Sequence, residues 1–302
     1  MTTFEGSAPV VVGVENTDAA RLAVLWAADE AVRRGLPLRL VNALDWPVGV
    51  DSDPNVTGPL QTWGGVFRDA GRRALDAAGA LVVSRHPGLG ISESLVDGEP
   101  AEVMREQARD AAMVVLGSRR LSSVRELMTT GGIAVPVVAH ARCPVVIVRE
   151  PEHATGDPLT IVVGVDGSRV SERAVAYAFD EASLRGAAVL AVQVRPFSAS
   201  PVVGAVGNVE ELEEGRARLA ETLAGWNEKY PDVRVHREVV FGHPVSTLAQ
   251  VSEHALCVVV GTRGLGGFKG MLLGSVSHGL LHHARCPVVV VPRERDDDHD
   301  QG

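Results

Sequence analysis

Cysteines and aromatic residues are both scarce in this 302-residue chain. Its three cysteines, Cys143, Cys257 and Cys286, include no C-x-x-C pair, and an odd number leaves one without a partner. This pattern argues against a disulfide framework and favours small buried side chains in a reducing compartment. Aromatic residues make up only 4% of the chain, so its core must consist mainly of valine, leucine and alanine.

The chain also lacks a basic excess and a long apolar segment. Its formal charge of −9 at pH 7 argues against a nucleic-acid-binding surface, which is normally basic. No apolar run approaches the ~20 residues needed to cross a bilayer, and the N-terminus has no basic region followed by an apolar run. We therefore expect a soluble, cytoplasmic protein with no membrane span and no nucleic-acid partner.

An internal repeat runs through almost the whole sequence, and such a repeat decides the architecture. The segment Val11–Glu15 (VVGVE) recurs as Val162–Asp166 (VVGVD), and Ala141–Val148 (ARCPVVIV) recurs as Ala284–Val291 (ARCPVVVV). The offset between the copies shrinks along the chain, because the first copy carries a few extra loop residues. The sequence therefore predicts two copies of one domain.

We place the two domains at residues 1–150 and 151–295, with a linker within Arg149–Pro158 and a disordered acidic tail over 296–302. In each copy short apolar strands alternate with helical segments, the pattern of a parallel sheet with helices on both faces. We expect α/β domains, doubly wound and Rossmann-like, each with five parallel strands and four helices. The helices predicted in the second copy are Ser168–Arg185, Val209–Tyr230, Pro244–His254 and Ser275–His283.

A glycine-rich loop follows the fourth strand of the second copy, where ligands of open parallel sheets bind. Its glycines let the backbone approach a polyphosphate, and Gly274 opens a helix whose N–H groups can hold phosphate. The hydroxyls of Ser275 and Ser277 add donors, and Arg263 or Lys269 can supply a local cation. The alternative is a flexible connection without a ligand, since glycine clusters are common in loops. The loop matches neither a P-loop nor G-x-G-x-x-G.

The spacing Gly261-x2-Gly264-x9-Gly274-Ser275 resembles that of the ATP-binding universal stress proteins, G-x2-G-x9-G-[ST]. The segments VGVDGS at the first strand and RCPVVVV at the fifth resemble the same family. The resemblance covers nearly the whole chain in two copies, as in the tandem proteins of actinobacteria and mycobacteria. It implies the adenine nucleotide alpha hydrolase-like fold in each copy and one bound ATP, accompanied by Mg²⁺ on the phosphates.

Carried over by position, the resemblance also implies nucleotide contacts in the second copy. Asp166 and the backbone of Val165 are expected at the adenosine end, and Val194 is expected to offer backbone hydrogen bonds to the adenine edge. The residues expected to flank the base or to line the ribose and phosphates are Val260, Gly261, Arg263, Gly264, Gly274, Ser275, Val276 and Ser277.

The first copy departs from this motif at several positions at once. Glu15 replaces Asp166, Arg120 stands where the second glycine is expected, and Gly132 stands where the serine is expected. Glu126 adds a negative charge near the expected phosphates. We expect the first copy to bind ATP weakly or not at all, and to be a packing partner or a site for something else. In the alternative reading, Arg119, Arg120 and Arg125 hold phosphate by charge.

We expect a binding protein, a nucleotide-dependent regulator of stress or dormancy, and not an enzyme. Positions 262–273 contain Thr262, Arg263 and Lys269 but no Asp, Glu, Gln or His to activate or orient an attacking water. The alternatives are a slow ATPase or nucleotide-transferring enzyme, and a nucleotide-independent interaction scaffold. A phospho-receiver domain is disfavoured, because neither first strand ends in an acidic pair.

Two other clusters have simpler interpretations. His278, His282 and Cys286 suggest a metal site, but the missing ligands favour helix-surface histidines. The pairs Asp29-Glu30 and Asp180-Glu181 are better explained as solvated, or as partners of Arg34 and Arg185, than as acid–base groups.

The family resemblance further implies that fifth strands pair edge to edge. Val145–Val148 and Val288–Val291 would then join the two domains into an intrachain pseudo-dimer, which protects two apolar edges. Chains can dimerise further through another surface, which the sequence does not specify.

Overall fold

The computed structural model describes residues 7–45, 59–118, 132–149, 155, 159–196, 209–264 and 273–293. Its contacts divide the chain into two units, Met1–Arg149 and Glu150–Gly302. The tail over 296–302 and nearly all of the predicted linker lie outside the described residues.

The first unit is a five-stranded parallel sheet flanked by helices, and strands and helices alternate along the chain. The strands lie in the order β3-β2-β1-β4-β5, all parallel. In chain order, the described elements are β1 Val10–Gly13, α1 Asp18–Arg34, β2 Leu38–Leu44, α2 Pro59–Arg85, β3 Ile91–Asp97, α3 Pro100–Gln107, β4 Met113–Gly117, α4 Ala134–His140 and β5 Val145–Val148.

The second unit repeats this topology, with its strands in the order β8-β7-β6-β9-β10, all parallel. The α/β, doubly wound fold predicted from the sequence is therefore confirmed. In chain order, the described elements are β6 Thr160–Gly164, α5 Arg169–Arg185, β7 Ala188–Arg195, α6 Val209–Thr222, α7 Trp226–Lys229, β8 Val235–Phe241, α8 Pro244–Val251, β9 Cys257–Gly261, α9 Ser275–His283 and β10 Val288–Val291.

The described cores consist mostly of valine, alanine and leucine, as the composition predicts. The central strands β1, β4, β6 and β9 are buried along almost their whole length, since helices cover both faces of each sheet. All three cysteines are free and buried. Burial raises the pKa of the Cys143 thiol to about 12, so it stays protonated at neutral pH. Within the described ranges, no helix combines the length and hydropathy of a membrane-crossing segment.

The first helix of each unit begins and ends with the same local signals. Thr17 caps α1, and Ser168 caps α5, each by accepting a hydrogen bond from a backbone N–H of the first turn. Gly35 and Gly186 end these helices in the left-handed region, at φ values of 62° and 61°. The predicted end of the second of these helices, at Arg185, is therefore confirmed.

One predicted helix, Val209–Tyr230, is broken in the structure. The helix α6 ends at Thr222, and Gly225 turns the chain at φ 79° before the short α7 begins at Trp226. This turn brings the Trp226 ring onto Phe179 of α5, with centroids 5.2 Å apart. The prediction of four helices for this unit is corrected accordingly, because the left-handed conformation of Gly225 is incompatible with a continuous helix.

Two helices of the second unit, α8 and α9, touch closely at Gly279. A Cβ atom at this position would lie 2.5 Å from Cγ2 and 3.2 Å from Cβ of Val245. We expect Gly279→Ala to lower the free energy of unfolding by about 1–2 kcal/mol, because overpacking costs more than alanine's helix propensity returns. Urea denaturation of the single variant and of Gly279→Ala/Val245→Ala tests this. An equal loss in the Val245→Ala background would contradict the contact as its cause.

Candidate functional site

The carboxylate of Asp166 stands where the chain leaves β6, at the carboxyl edge of the second sheet. Its Oδ1 atom accepts two hydrogen bonds from Ser168, one from the backbone N–H at 3.0 Å and one from the hydroxyl at 2.6 Å. Gly167 between them has φ 83°, a conformation that favours glycine. This turn folds Ser168 back onto Asp166 and fixes the direction of the carboxylate.

Gly264 lies directly against this carboxylate. A Cβ atom on Gly264 would come 2.0 Å from Oδ2 of Asp166, so no side chain fits there while the carboxylate keeps its position. The φ angle of Gly264 is not positive, and other residues can adopt its backbone conformation. The carboxylate can therefore keep this position only with glycine at 264, and the contact joins two residues that lie 98 positions apart.

The base of the glycine-rich loop is closed by Thr262, Gly274 and Ser277. The carbonyl of Thr262 accepts from the Gly274 N–H at 2.7 Å and from the Ser277 hydroxyl at 2.9 Å. The Ser277 side chain is 2% exposed, and its oxygen also lies 3.0 Å from the Gly274 carbonyl. The Ser277 hydroxyl was expected among the phosphate donors, but it donates to the Thr262 carbonyl inside the loop base. The backbone N–H of Ser277 is then the group that faces the helix start.

The helix α9 begins at this loop base. Its first intrahelical bond runs from the His278 N–H to the Gly274 carbonyl, so the N–H groups of Ser275, Val276 and Ser277 precede the helical ladder. No side chain of a described residue caps this end, and Ser275 is exposed. Such an end attracts anions. Arg263 lies beside it, with its Cα 3.2 Å from where a Gly274 Cβ would stand, while Lys269 lies outside the described residues.

Val194 presents backbone groups to the same edge. The carbonyl of Val192 accepts from the Val165 N–H on the β6 side of β7, and the carbonyl of Arg195 accepts from Gly242 on the β8 side. Because backbone groups alternate between the two neighbouring strands, Val194 directs its N–H and C=O toward the β6 side. There β6 has already ended at Gly164, so this edge faces the start of the Asp166 turn.

Val165 and Val260 are buried, at 5% and 4% exposure, so they contribute backbone and shape rather than open side-chain surface. Gly261 has a packing role, since a Cβ atom there would lie 2.6 Å from Cγ1 of Val170 on α5. The first unit keeps the same contact, in which a Cβ on Gly117 would lie 2.5 Å from the Ala19 backbone. The first glycine of the motif thus holds a strand end against a helix in both units.

The corresponding edge of the first unit is built differently. Here Thr17 donates its N–H to the backbone carbonyl of Glu15, and its hydroxyl caps α1. The Nδ2 atom of Asn42 donates to the Val14 carbonyl at 2.7 Å and so occupies a backbone acceptor of this edge. Gly132 is described, whereas Arg119, Arg120, Arg125, Glu126 and Gly131 lie outside the described residues.

Gln193 of β7 occupies the position of Asn42, since Gly164 pairs with Val192 as Gly13 pairs with Val41. Its side chain is 7% exposed, and its Oε1 atom has no hydrogen-bond partner among the described residues. The motif did not indicate Asn42 or Gln193 at this edge, and it placed Ser168 there, within VGVDGS, without assigning it a contact. The only signal for the two amides was their position next to the ends of the first two strands.

The remaining candidates from the sequence have structural roles. His278 and His282 face each other with ring centroids 4.8 Å apart, and the described residues contain no group of three His, Cys, Asp or Glu side chains able to hold a metal. The carboxylate of Glu30 pairs with Arg33 and Arg34, and Glu181 pairs with Arg185, as the interpretation of these acids as ion-pair partners predicts. Both glutamates are fully buried, however, so the solvated alternative is wrong for them.

Asp29 joins α1 to the end of α2. It binds Arg85 through two bonds, of 2.6 and 2.9 Å, and it lies 2.6 Å from Nε2 of His86. Burial raises the pKa of Asp29, but the bonds to Arg85 and His86 outweigh burial and lower its pKa below the usual value. This aspartate is an anionic ion-pair partner.

Comparison with known proteins agrees with this architecture. The model of the universal stress protein family matches residues 7–149 and 159–292. A universal stress protein of Mycobacterium tuberculosis is 40% identical over 289 residues, which cover 93% of this chain and 96% of that protein. A universal stress protein of Mycolicibacterium smegmatis is 36% identical over the same shares.

A solved structure shares the fold. The crystal structure of a universal stress protein from Archaeoglobus fulgidus matches with a TM-score of 0.73 and 16% identity, and the match covers 96% of this chain and 98% of that one. With two family matches that together span most of the sequence, this chain belongs to the universal stress protein family, in its tandem form.

Proposed function

We propose that the second unit binds one ATP and that ATP occupancy regulates the protein's response to stress or dormancy. The observation that carries this proposal is the meeting of Asp166, Gly264 and the open start of α9 at one sheet edge. Asp166 and Val194 would contact the adenosine end, Val194 through its backbone. The N–H groups of Ser275, Val276 and Ser277, together with Arg263, would hold the phosphates.

The site suits a triphosphate more than a bound metal alone. The described residues at positions 260–264 and 273–277 supply backbone donors, hydroxyls and one arginine, and the neighbouring Asp166 carboxylate is assigned to the adenosine end rather than to the phosphates. Mg²⁺, if it accompanies ATP, would therefore be held mainly by phosphate oxygens and water, which are its preferred ligands.

The same residue set supports binding rather than turnover. Hydrolysis requires a side chain that orients or activates water near the terminal phosphate. Positions 260–264 and 273–277 contain no Asp, Glu, Gln or His. We propose that ATP acts as a bound signal, and that any change in the protein follows occupancy.

The first unit is proposed to bind ATP weakly or not at all. Glu15 replaces the shorter Asp166, and Asn42 already occupies the Val14 carbonyl. A ligand that approaches this carbonyl would have to compete with the buried Asn42 amide for it. Strand pairing between Val145–Val148 and Val288–Val291, homodimerisation and a cytoplasmic location stay predictions.

Isothermal titration of nucleotide-stripped protein with ATP tests the proposal, with Gly274→Ala and Gly131→Ala as a matched pair. We expect one site per chain, weakened at least about tenfold by Gly274→Ala, because its Cβ would crowd the Thr262 carbonyl and the Arg263 backbone. Gly131→Ala should leave the affinity unchanged. Two sites would overturn the assignment to one unit, and no binding would overturn the proposed function.

A further inference from the structure

Ser168 links the start of α5 to the carboxylate of Asp166. Its hydroxyl oxygen accepts from the Ser171 N–H at 3.2 Å, as a helix cap, and its O–H donates to Oδ1 of Asp166 at 2.6 Å. The Ser168 N–H donates to the same oxygen at 3.0 Å. Hydrogen bonds connected in this way polarise one another and rigidify the group at their end.

The two donors on Oδ1 determine where the second carboxylate oxygen lies. Rotation about the Cβ–Cγ bond of Asp166 would break the bonds from Ser168, so Oδ2 is kept on the side of Gly264. The bare Cα of Gly264 is the space that this oxygen needs. Ser168, Asp166 and Gly264 therefore act together. The serine orients the carboxylate, and the missing side chain of Gly264 leaves room for Oδ2.

In its described part, the first unit has Thr17 at the position of Ser168, but Thr17 lacks the two hydrogen bonds to a carboxylate two residues earlier. Thr17 caps α1 through its hydroxyl, as Ser168 caps α5, but its N–H donates to the backbone carbonyl of Glu15. Asn16 replaces Gly167, and no described residue other than glycine has a positive φ angle. Helix capping alone thus does not explain the contacts of Ser168 with Asp166.

We propose that Ser168 is a positioning residue for ligand binding, which it supports by holding the Asp166 carboxylate toward the bound nucleotide. The inference rests on the proposed function of the second unit. Ser168 itself need not touch the ligand, because its two donors are already used on Asp166. Its contribution to affinity passes through the carboxylate, and it must vanish when the carboxylate is removed.

A double-mutant cycle with Ser168→Gly and Asp166→Ala tests this, since glycine at a cap costs only a few tenths of a kcal/mol. We expect Ser168→Gly to weaken ATP binding about tenfold in the wild-type background, from the loss of a charge-assisted bond, and to have no effect in the Asp166→Ala background. Ser168→Thr should retain the affinity. Thr17→Gly, the matched cap removal in the first unit, should leave ATP binding unchanged.

Equal weakening in both backgrounds, or none in either, would overturn the positioning role. A second measurement needs no nucleotide: the Gly264 amide signal in a ¹⁵N–¹H correlation spectrum reports the position of the adjacent carboxylate. We expect Ser168→Gly to shift this signal in the wild-type background and to leave it unmoved when Asp166 is already alanine. If wild-type protein binds no ATP but Ser168→Gly still shifts the Gly264 signal only when Asp166 is present, the proposed function fails while the orientation of Asp166 by Ser168 stands. If the shift does not depend on Asp166, the orientation of Asp166 by Ser168 is itself overturned.

Discussion

Replacing Arg185 by methionine is expected to lower the free energy of unfolding of the second unit by about 3–5 kcal/mol. Glu181 is fully buried, and the side chain of Arg185, its ion-pair partner four residues later on α5, is 6% exposed. Removing the arginine leaves a buried carboxylate without this guanidinium. Burial then disfavours its charged form, and the folded state loses the corresponding stability.

The chain supplies a matched control in α1. Glu30 is equally buried and pairs with both Arg33 and Arg34. Arg34 is more exposed than Arg185, at 16% against 6%, and Arg34→Met leaves Arg33 beside the carboxylate, so this substitution should cost less. The double variant Glu181→Met/Arg185→Met, which removes both charges, should recover most of the loss. Urea denaturation followed by hydrogen exchange assigns each change to its unit. If Arg34→Met lowers the free energy of unfolding as much as Arg185→Met does, Arg33 does not have the role given to it as a second partner of Glu30.

Replacing Gly264 by alanine is expected to weaken ATP binding about thirtyfold, or roughly 2 kcal/mol, with little effect on folding. The added Cβ would lie 2.0 Å from Oδ2 of Asp166, so the carboxylate must leave its position. Gly264 is exposed and its φ angle is not positive, so alanine at this position does not strain the backbone. Titration calorimetry measures the affinity, and thermal unfolding measures the stability.

The Asp166→Ala background separates this steric effect from a general disturbance of the loop. Without the carboxylate, alanine at position 264 loses its close contact with Oδ2, and Gly264→Ala should change the affinity by less than about twofold. Gly167→Ala is a useful comparison, because Gly167 has a positive φ angle and its replacement strains the turn itself. If Gly264→Ala is as harmful without the carboxylate as with it, the contact with Asp166 is not the reason for this glycine.

The sequence was sufficient for the fold because the repeat and the strand pattern are strong local signals. Runs such as Val10–Gly13 and Cys257–Gly261 are buried on both faces, and glycines at 35 and 186 stop their helices. Gly225 was a local signal for the break after α6, since glycine is a poor helix former and a common helix terminator. The stacking of Trp226 on Phe179, 47 residues away in sequence, was not predictable from that signal.

The site was only partly predictable, because spacing identifies loop residues but not their partners. The motif selected Gly264 and Asp166 separately, while their contact emerged from the folded sheet edge. It assigned the Ser277 hydroxyl to a ligand, whereas burial places it against the Thr262 carbonyl. The sequence placed Ser168 beside Asp166 but did not predict their hydrogen bond, since a serine at a helix start is adequately explained as a cap.

The glycine that ends the fourth strand has a consequence for how duplicated genes of this kind diverge. Gly117 and Gly261 are both pressed against a helix, so selection for folding alone preserves this glycine after a copy has lost its ligand. Gly264 is free of that constraint, and drift can replace it once the acid beside it no longer serves a nucleotide. In tandem chains of this kind, we therefore expect the second glycine to persist in the copies that bind nucleotide, whereas the first persists for packing whether or not a ligand binds.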